Sequence, residues 1–335
     1  MAAIIEVEDL RKTYPGGVEA VRGIGFRVEE GEVFGFLGPN GAGKSTTIMM
    51  LTTLLRPTAG TLRVAGLDPI AHPARVRAEI GYVSQDLAVD DSLTGRENLR
   101  LQGAFYHLAP AEARRRSDEL LDLVGLSDRA DHRVETYSGG MRKRLDIACG
   151  LMHRPRLLFL DEPTLGLDIQ TRRQIWAYVG RMKEEFGMTL FLTTHYMEEA
   201  DALCDRVAII DRGEVRAIGR PAELKAGIGG DVVSLRLPEV NGASRAPSIL
   251  QGLEPVRTVQ AVDGILQAVV DDGDGALPLI VQALSAQGIT PASIAVKKPS
   301  LDDVYLAHTG RELREESGSR EESWQARVRL RRIRR

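Results

Sequence analysis

Short apolar runs alternate with amphipathic stretches through the first two thirds of the chain. Val33–Leu37, 157–160, Thr189–Thr194 and 207–211 are strand-sized, rich in aliphatic and aromatic side chains, and bounded by charged or turn residues. Residues 1–9 read as an opening strand that carries acids. Between these runs, 46–55, 140–150, 171–184 and 197–204 have helical patterning. The alternation predicts an α/β fold with a mixed, largely parallel sheet. Residues 93–128 hold no strong strand but several helical patterns, such as 111–124, and predict a helical insertion between two parts of the sheet.

The pattern changes at Gly227-Ile228-Gly229-Gly230, a break suited to a linker. Beyond it Val233, Leu235 and Leu237 alternate with polar residues as in a half-buried strand. Ile265–Val270 predicts another strand, and 277–286 a short helix with Pro278 near its start. Residues 231–310 are therefore expected to form a small α+β domain. From Arg311 to Arg335 the chain is charged and nearly devoid of apolar clusters, the composition of a disordered tail. Its arginine-rich end, 327–335, reads as a solvated terminus, with weak contact to an anionic bilayer as the alternative.

Composition narrows the class. At 335 residues the chain can bury one large core and a smaller second one. Hydrophobic residues at 43% and charged residues at 27% are a globular balance. The net charge of −3 gives no general attraction for nucleic acid, so no nucleic-acid partner is expected. Cys149 and Cys204 lack CxxC spacing, and the six histidines are scattered, which fits a reducing compartment and argues against a disulfide scaffold or zinc site. Residues 1–9 do not read as a signal peptide. The longest apolar runs fall well short of the roughly 20 residues a membrane helix needs. A soluble chain is expected; if it serves transport, the pore lies in another chain.

Two segments carry phosphate chemistry. Gly38-Pro39-Asn40-Gly41-Ala42-Gly43-Lys44-Ser45-Thr46 follows a strand and opens a helix, a GxxxxGKS pattern. Its glycines let backbone N–H groups turn inward around a polyphosphate, and the helix N-terminus adds positive potential. Lys44 is placed to reach the β- and γ-phosphates of a nucleotide, and the Ser45 hydroxyl to ligate Mg²⁺. Downstream, 157–160 delivers Asp161 and Glu162 to a strand's C-terminal end, where ligands of open α/β sheets bind. Asp161 suits Mg²⁺, directly or through water, and Glu162 suits the polarisation of an attacking water. The phosphate loop alone also fits kinases, GTPases, recombinases and helicases.

Tyr137-Ser138-Gly139-Gly140-Met141-Arg142-Lys143-Arg144 leads into a helix shortly before the acidic strand. Ser138, Gly139 and Gly140 make a second helix N-terminus with N–H groups available to an anion. This segment resembles the signature motif of the ATP-binding cassette (ABC) family, usually written LSGGQ. The resemblance covers Met1 to about Arg220. It implies a P-loop ABC cassette over residues 1–226, with a helical subdomain at about 86–140. It also implies that Ser138–Gly140 clamp the γ-phosphate held by an opposing copy, in an ATP-dependent homodimer. Tyr14 matches the family's adenine-stacking aromatic. Gln85 matches the glutamine that touches Mg²⁺ and water and moves with the membrane partner. Asp168, in Leu165-Gly166-Leu167-Asp168, matches the anchor of the loop joining the subunits, and His195 matches the switch histidine at the γ-phosphate. Tyr137 and Met141 depart from the usual leucine and glutamine; the backbone donors survive, but an amide side chain at 141 does not.

Pro299-Ser300-Leu301-Asp302-Asp303-Val304-Tyr305-Leu306 is similar to the end of daunorubicin-resistance-type exporter ATPases. Read as residues, it is a helix started by Pro299 with Leu301, Val304 and Tyr305 facing a core. Read as a resemblance, it implies ATP hydrolysis that powers efflux of hydrophobic drugs or related lipophilic compounds through an integral membrane permease. The chain would then be a peripheral protein on the cytoplasmic face of the cell membrane, with Gln85 and the helical insertion carrying the coupling. A rival reading is a soluble ABC ATPase acting on ribosomes or DNA. Ribosome-type members generally carry two cassettes and DNA-repair members a long coiled coil, and this chain has neither. A small-molecule kinase would account for Lys44 but not for 137–140.

Overall fold

The computed structural model describes residues 3–227, 229–237, 245–262 and 265–309. The expected tail at 311–335, with its arginine-rich end, and Ile228 of the glycine-rich break lie outside the described residues. The chain runs β1 (Ala3–Thr13), β2 (Glu19–Glu29), β3 (Val33–Leu37), α1 (Lys44–Leu51), β4 (Ala59–Val64), α2 (Pro73–Glu79) and β5 (Ile80–Val83). There follow α3 (Gly95–Phe105), α4 (Pro110–Leu123), α5 (Gly139–Gly150), β6 (Leu157–Asp161), α6 (Ile169–Phe186), β7 (Thr189–Thr194), α7 (Met197–Leu203), β8 (Arg206–Asp211), β9 (Glu214–Gly219) and α8 (Pro221–Gly227). The last part is β10 (Asp231–Arg236), α9 (Ala246–Gln251), β11 (Val256–Val262), β12 (Ile265–Val270), α10 (Gly273–Ser285), β13 (Ser293–Lys297) and α11 (Leu301–Thr309).

Six strands form the central sheet in the order β5-β6-β7-β3-β8-β9. All neighbours are parallel except the β8–β9 hairpin. β3, β6 and β7 are buried along their whole length, which is why they read as unbroken apolar runs. A separate antiparallel sheet, β2-β1-β4, packs on one face through an aromatic cluster in which Phe26 stacks on Phe34 and Phe34 on Phe191. The sequence pattern identified β1 but not this sheet, because β2 and β4 alternate polar with apolar residues and lack the long apolar runs. The other face is covered by α5 and α6, and the insertion α3–α4 joins that same core.

Helix limits differ from expectation where the determinants are local conformations. α1 starts at Lys44 and stops at Leu51, not 46–55: Gly43 caps it in the left-handed region, and Thr53 at φ 67° ends it as the Leu54 and Leu55 N–H groups fold back on Met49 O. α6 extends to 169–186 because Asp168 caps its start and left-handed Gly187 its end. α10 begins at Gly273, before the expected 277, because Gly273 N–H donates to Asp231 Oδ2 from distant β10. Pro278 therefore sits inside the helix, where it removes one backbone hydrogen bond.

The four-stranded sheet β11-β12-β10-β13 is antiparallel, and α9 and α10 close its core around Val233, Leu235, Leu250, Leu266 and Ile280. α11 packs elsewhere. Its buried residues Leu301, Val304 and Tyr305 belong to the hydrophobic cluster under the central sheet, against α7, α8 and β9.

Candidate functional site

Strand register assembles the site. In the parallel ladder Leu37 pairs with Thr194, Asp161 with Thr193, and Val83 with Leu160. The C-terminal ends of β5, β6, β7 and β3 therefore come level along one edge of the sheet. From that edge emerge Gln85, Asp161 with Glu162, His195, and the loop 38–46. Ligands of open α/β sheets bind at such edges.

The loop after β3 is shaped by what it touches. Gly38 N–H donates to Thr194 O at 3.2 Å, and a side chain at Gly38 would land on the Ile210 carbonyl. Gly43 has φ 106° and a Cβ there would stand 2.5 Å from Ala20 O, so both backbone angle and space demand glycine. Gly213 N–H, from the β8–β9 turn, donates to Ala42 O at 2.9 Å and braces the loop from below. Lys44, only 4% exposed, donates to Gly38 O at 2.7 Å and Pro39 O at 3.1 Å and pairs with Glu162 Oε1 at 3.1 Å. A cavity of about 430 Å³ opens over this loop. Tyr14, Asn40, Gly41, Gly43, Lys44, Ser45, Thr46, Gln85 and Glu162 line it, with Val18, Ala20 and Leu165. That volume is within the range of small-ligand sites. The Tyr14 hydroxyl lies 3.4 Å from Thr46 Oγ1, which fixes the ring at the rim.

The two adjacent acids differ in environment. Asp161 accepts from Thr193 Oγ1 at 2.6 Å and from Ser45 Oγ at 3.4 Å. Burial pushes its pKa up and the neighbouring Glu162 adds to that, while Thr193 opposes, leaving it above the usual carboxylate value. Glu162 is also pushed up by burial, but His195 and the Lys44 ammonium outweigh that and hold it below the ordinary value. His195 Nδ1 stands 3.3 Å from Glu162 Oε2, within ion-pair reach but without the alignment of a hydrogen bond. Glu162 has φ 48°, a left-handed conformation uncommon for a side-chain-bearing residue and concentrated at functional sites. Its N–H is held by Thr193 O and Oγ1, both at 3.1 Å. Ser45, Asp161 and Gln85 offer hydroxyl, carboxylate and amide oxygens, the hard donors that suit Mg²⁺. Among the described residues no group of three or more His, Cys, Asp or Glu is arranged around a metal site.

Ser138, Gly139, Gly140 and Asp168 are not among the residues lining this cavity. Ser138 caps α5 by accepting from Met141 N–H at 3.2 Å, and the space in front of Gly139 is open. Asp168 accepts from Thr171 N–H at 2.9 Å and Thr171 Oγ1 at 2.7 Å. The Thr171 methyl then fills the place a side chain at Gly140 would need. The two predicted surface motifs are thus neighbours in space, joined by Thr171. Met141 is half-buried against the core, an apolar use of a position that carries glutamine in the usual signature.

Sequence reasoning missed several polar residues that support the site. Thr193 lies in a run whose pattern predicts only a strand. Glu199 is fully buried and accepts from Thr164 Oγ1 at 2.9 Å and Trp176 Nε1 at 3.0 Å. Lys143 and Asp146 are buried in α5 beside the Gln85 loop. A charged residue on the apolar face of a predicted helix was the available signal.

Comparison with known proteins adds two family matches: residues 21–165 match the family described as ABC transporter, and 219–309 match the C-terminal domain of ATP-binding proteins of the DrrA1-3 type. The daunorubicin resistance ATP-binding protein DrrA3 of Streptomyces coeruleorubidus is 44% identical over 308 residues, 91% of this chain and 96% of that protein. The linearmycin resistance ATP-binding protein LnrL of Bacillus subtilis is 39% identical over 321 residues, 93% of this chain and all of that protein. Among solved structures, an ATP-binding cassette captured as a dimer in a post-hydrolysis state with ADP and Pi superposes with a TM-score of 0.59 at 28% identity, covering 64% of this chain and 98% of that one.

Proposed function

The chain belongs to the ATP-binding subunits of ABC transporters, in the daunorubicin-resistance branch, and from that membership we propose that it hydrolyses ATP in the cavity over the 38–46 loop to drive export of lipophilic compounds. The observation that carries the reading is the convergence of Lys44, Ser45, Gln85 and Glu162 on one cavity, with Tyr14 at its rim. The relatives are named for resistance to daunorubicin and linearmycin, which supports an apolar, drug-like cargo.

Each residue then has a task. Tyr14 stacks on adenine, and the amides of the loop from Gly38 to Thr46 surround the phosphates. When the nucleotide enters, Lys44 exchanges its bond to Glu162 for phosphate oxygens. That exchange leaves Glu162 Oε1 free to accept a proton from the attacking water. His195, beside Glu162, contacts the γ-phosphate. Ser45, Asp161 and Gln85 would hold Mg²⁺ through their oxygens, and the ion would supply charge neutralisation at the phosphates. Ser138, Gly139, Gly140 and Asp168 are not part of this cavity's lining and serve the nucleotide of a second copy. The post-hydrolysis relative was captured as a dimer, which supports that arrangement.

No helix among the described residues is long and apolar enough to cross a membrane. Transporter ATP-binding subunits work with membrane components, and this chain docks on an integral permease at the cytoplasmic face. The test is Glu162→Gln. ATP binding is expected to survive while turnover falls about 10²–10⁴-fold, and the variant accumulates as an ATP-bound dimer. Near-normal steady-state hydrolysis would remove Glu162 from its role. A strictly monomeric variant, at saturating ATP and with the membrane subunit present, would remove the shared site.

A further inference from the structure

α5 carries a buried Lys–Asp pair whose members bind a loop better than they bind each other. Lys143 and Asp146 are 5% and 3% exposed, and their charged atoms stand 3.7 Å apart, too far for a hydrogen bond. Lys143 Nζ instead donates to Ser84 O at 2.7 Å. Asp146 Oδ1 accepts from Ala88 N–H at 3.2 Å, and its other oxygen has no hydrogen-bond partner. Burial lowers the pKa of Lys143 and raises that of Asp146, the mark of two charges held out of water at a cost. Between the two anchor points lies Gln85, exposed and lining the nucleotide cavity. Ser84 Oγ donates to Asp86 O at 2.6 Å and tightens the loop further.

We propose that Lys143 and Asp146 are positioning residues that fasten both ends of the Gln85 loop to α5, so that Gln85 and the Ser138–Gly140 turn move as one body. The first turn of α5 presents Ser138, Gly139 and Gly140, and Lys143 follows on the next turn of the same continuous helix. A helix is stiff over that length, so a shift of the loop carries the first turn with it. The inference rests on the proposed role of Gln85 and goes beyond it. A motion imposed on Gln85 in one half of the site reaches, through this pair, the donors offered to the nucleotide of the other half.

The decisive variant replaces both charges with apolar groups, Lys143→Met together with Asp146→Leu. Removing a buried pair as a pair leaves no orphan charge, so what the swap takes away is the two bonds to the loop backbone. The full-length chain, assayed with its membrane subunit well below its melting temperature, is expected to melt somewhat lower than the parent, because Ser84 O and Ala88 N–H lose their partners, and to bind ATP with unchanged affinity. Its kcat is expected to fall about tenfold or more, the scale on which misplacing a positioned group acts. In a Gln85→Ala background the same swap should change kcat no further, because its effect runs through Gln85. A swap that keeps parental kcat while Gln85→Ala lowers it overturns the latch and leaves the role of Gln85 standing. Additive losses, or a kcat loss that disappears at temperatures where the variant is fully folded, overturn it too. If Gln85→Ala alone leaves kcat unchanged, the reading of Gln85 fails and the latch falls with it.

Discussion

Tyr137 stands where the family's signature usually has leucine, and a single glycine makes room for it. Its hydroxyl donates to Arg129 O at 2.6 Å. A Cβ on Gly95, at the first turn of α3, would be 2.6 Å from that hydroxyl. Gly95→Ala should therefore cost about 1–3 kcal/mol through overpacking, while in a Tyr137→Phe background, itself about 1 kcal/mol less stable, most of that cost should vanish. Urea denaturation of the two single variants and the double measures the coupling, and simple additivity would count against the packing argument. Residue identities of this kind are only half legible in sequence. Lys44, Asp161 and Glu162 announce themselves by motif. Lys143, Asp146 and Thr193 are fainter: charge on an apolar helix face marks the first two, but nothing local names the loop they face or sets a strand threonine apart.

Elements were legible where their determinants are local and illegible where partners are distant. β3, β7 and β12 have the limits their apolar patterns predict, since burial on the sheet is written into each run. The order β5-β6-β7-β3-β8 is written nowhere in the pattern, yet it alone brings Gln85, Glu162, His195 and the phosphate loop to one edge. Glu199 shows how elements are then tied together. From α7 it reaches Thr164, in the loop after Glu162, and Trp176 of α6. Burial raises its pKa above the ordinary 4.5, against the opposing bonds from Thr194, Thr164 and Trp176 and the charge of Arg172. The folded state thus binds a proton that the unfolded state has released, and stability is lost as pH rises from 4.5 through the raised value. Glu199→Gln keeps an acceptor for both donors and has nothing to ionise. Its stability relative to the parent should be least favourable below pH 4.5 and improve toward neutral pH. Thermal melts across that interval measure the difference, and a gap independent of pH would show that Glu199 titrates in the fold as it does in the unfolded chain.

At the scale of the whole molecule, the C-terminal part returns to the cassette it follows. Lys298 pairs with Asp274 of α10 and Lys297 with Asp303 at 2.9 Å, so α11 is tethered to the small domain by exposed contacts. Its apolar face goes the other way: Leu301, Val304 and Tyr305 complete the cluster under the central sheet. Tyr305 Oη donates to Asp211 Oδ1 at 3.3 Å, at the end of β8. The turn after β8 is the one whose Gly213 N–H supports Ala42 of the phosphate loop. A helix predicted from Pro299 and a three-residue apolar face could not disclose which core it enters, because either core would accept that face. Leu301→Ala should cost about 2–5 kcal/mol, the range for emptying a packed leucine site. The loss should appear in the cassette, as faster amide exchange in β8 and its neighbour β3, with β10 to β13 little changed. Leu250→Ala, in the core of the small sheet, should produce the converse pattern. If Leu301→Ala instead loosened only β10 to β13, α11 would belong energetically to the small domain, and the cassette's core would close without it.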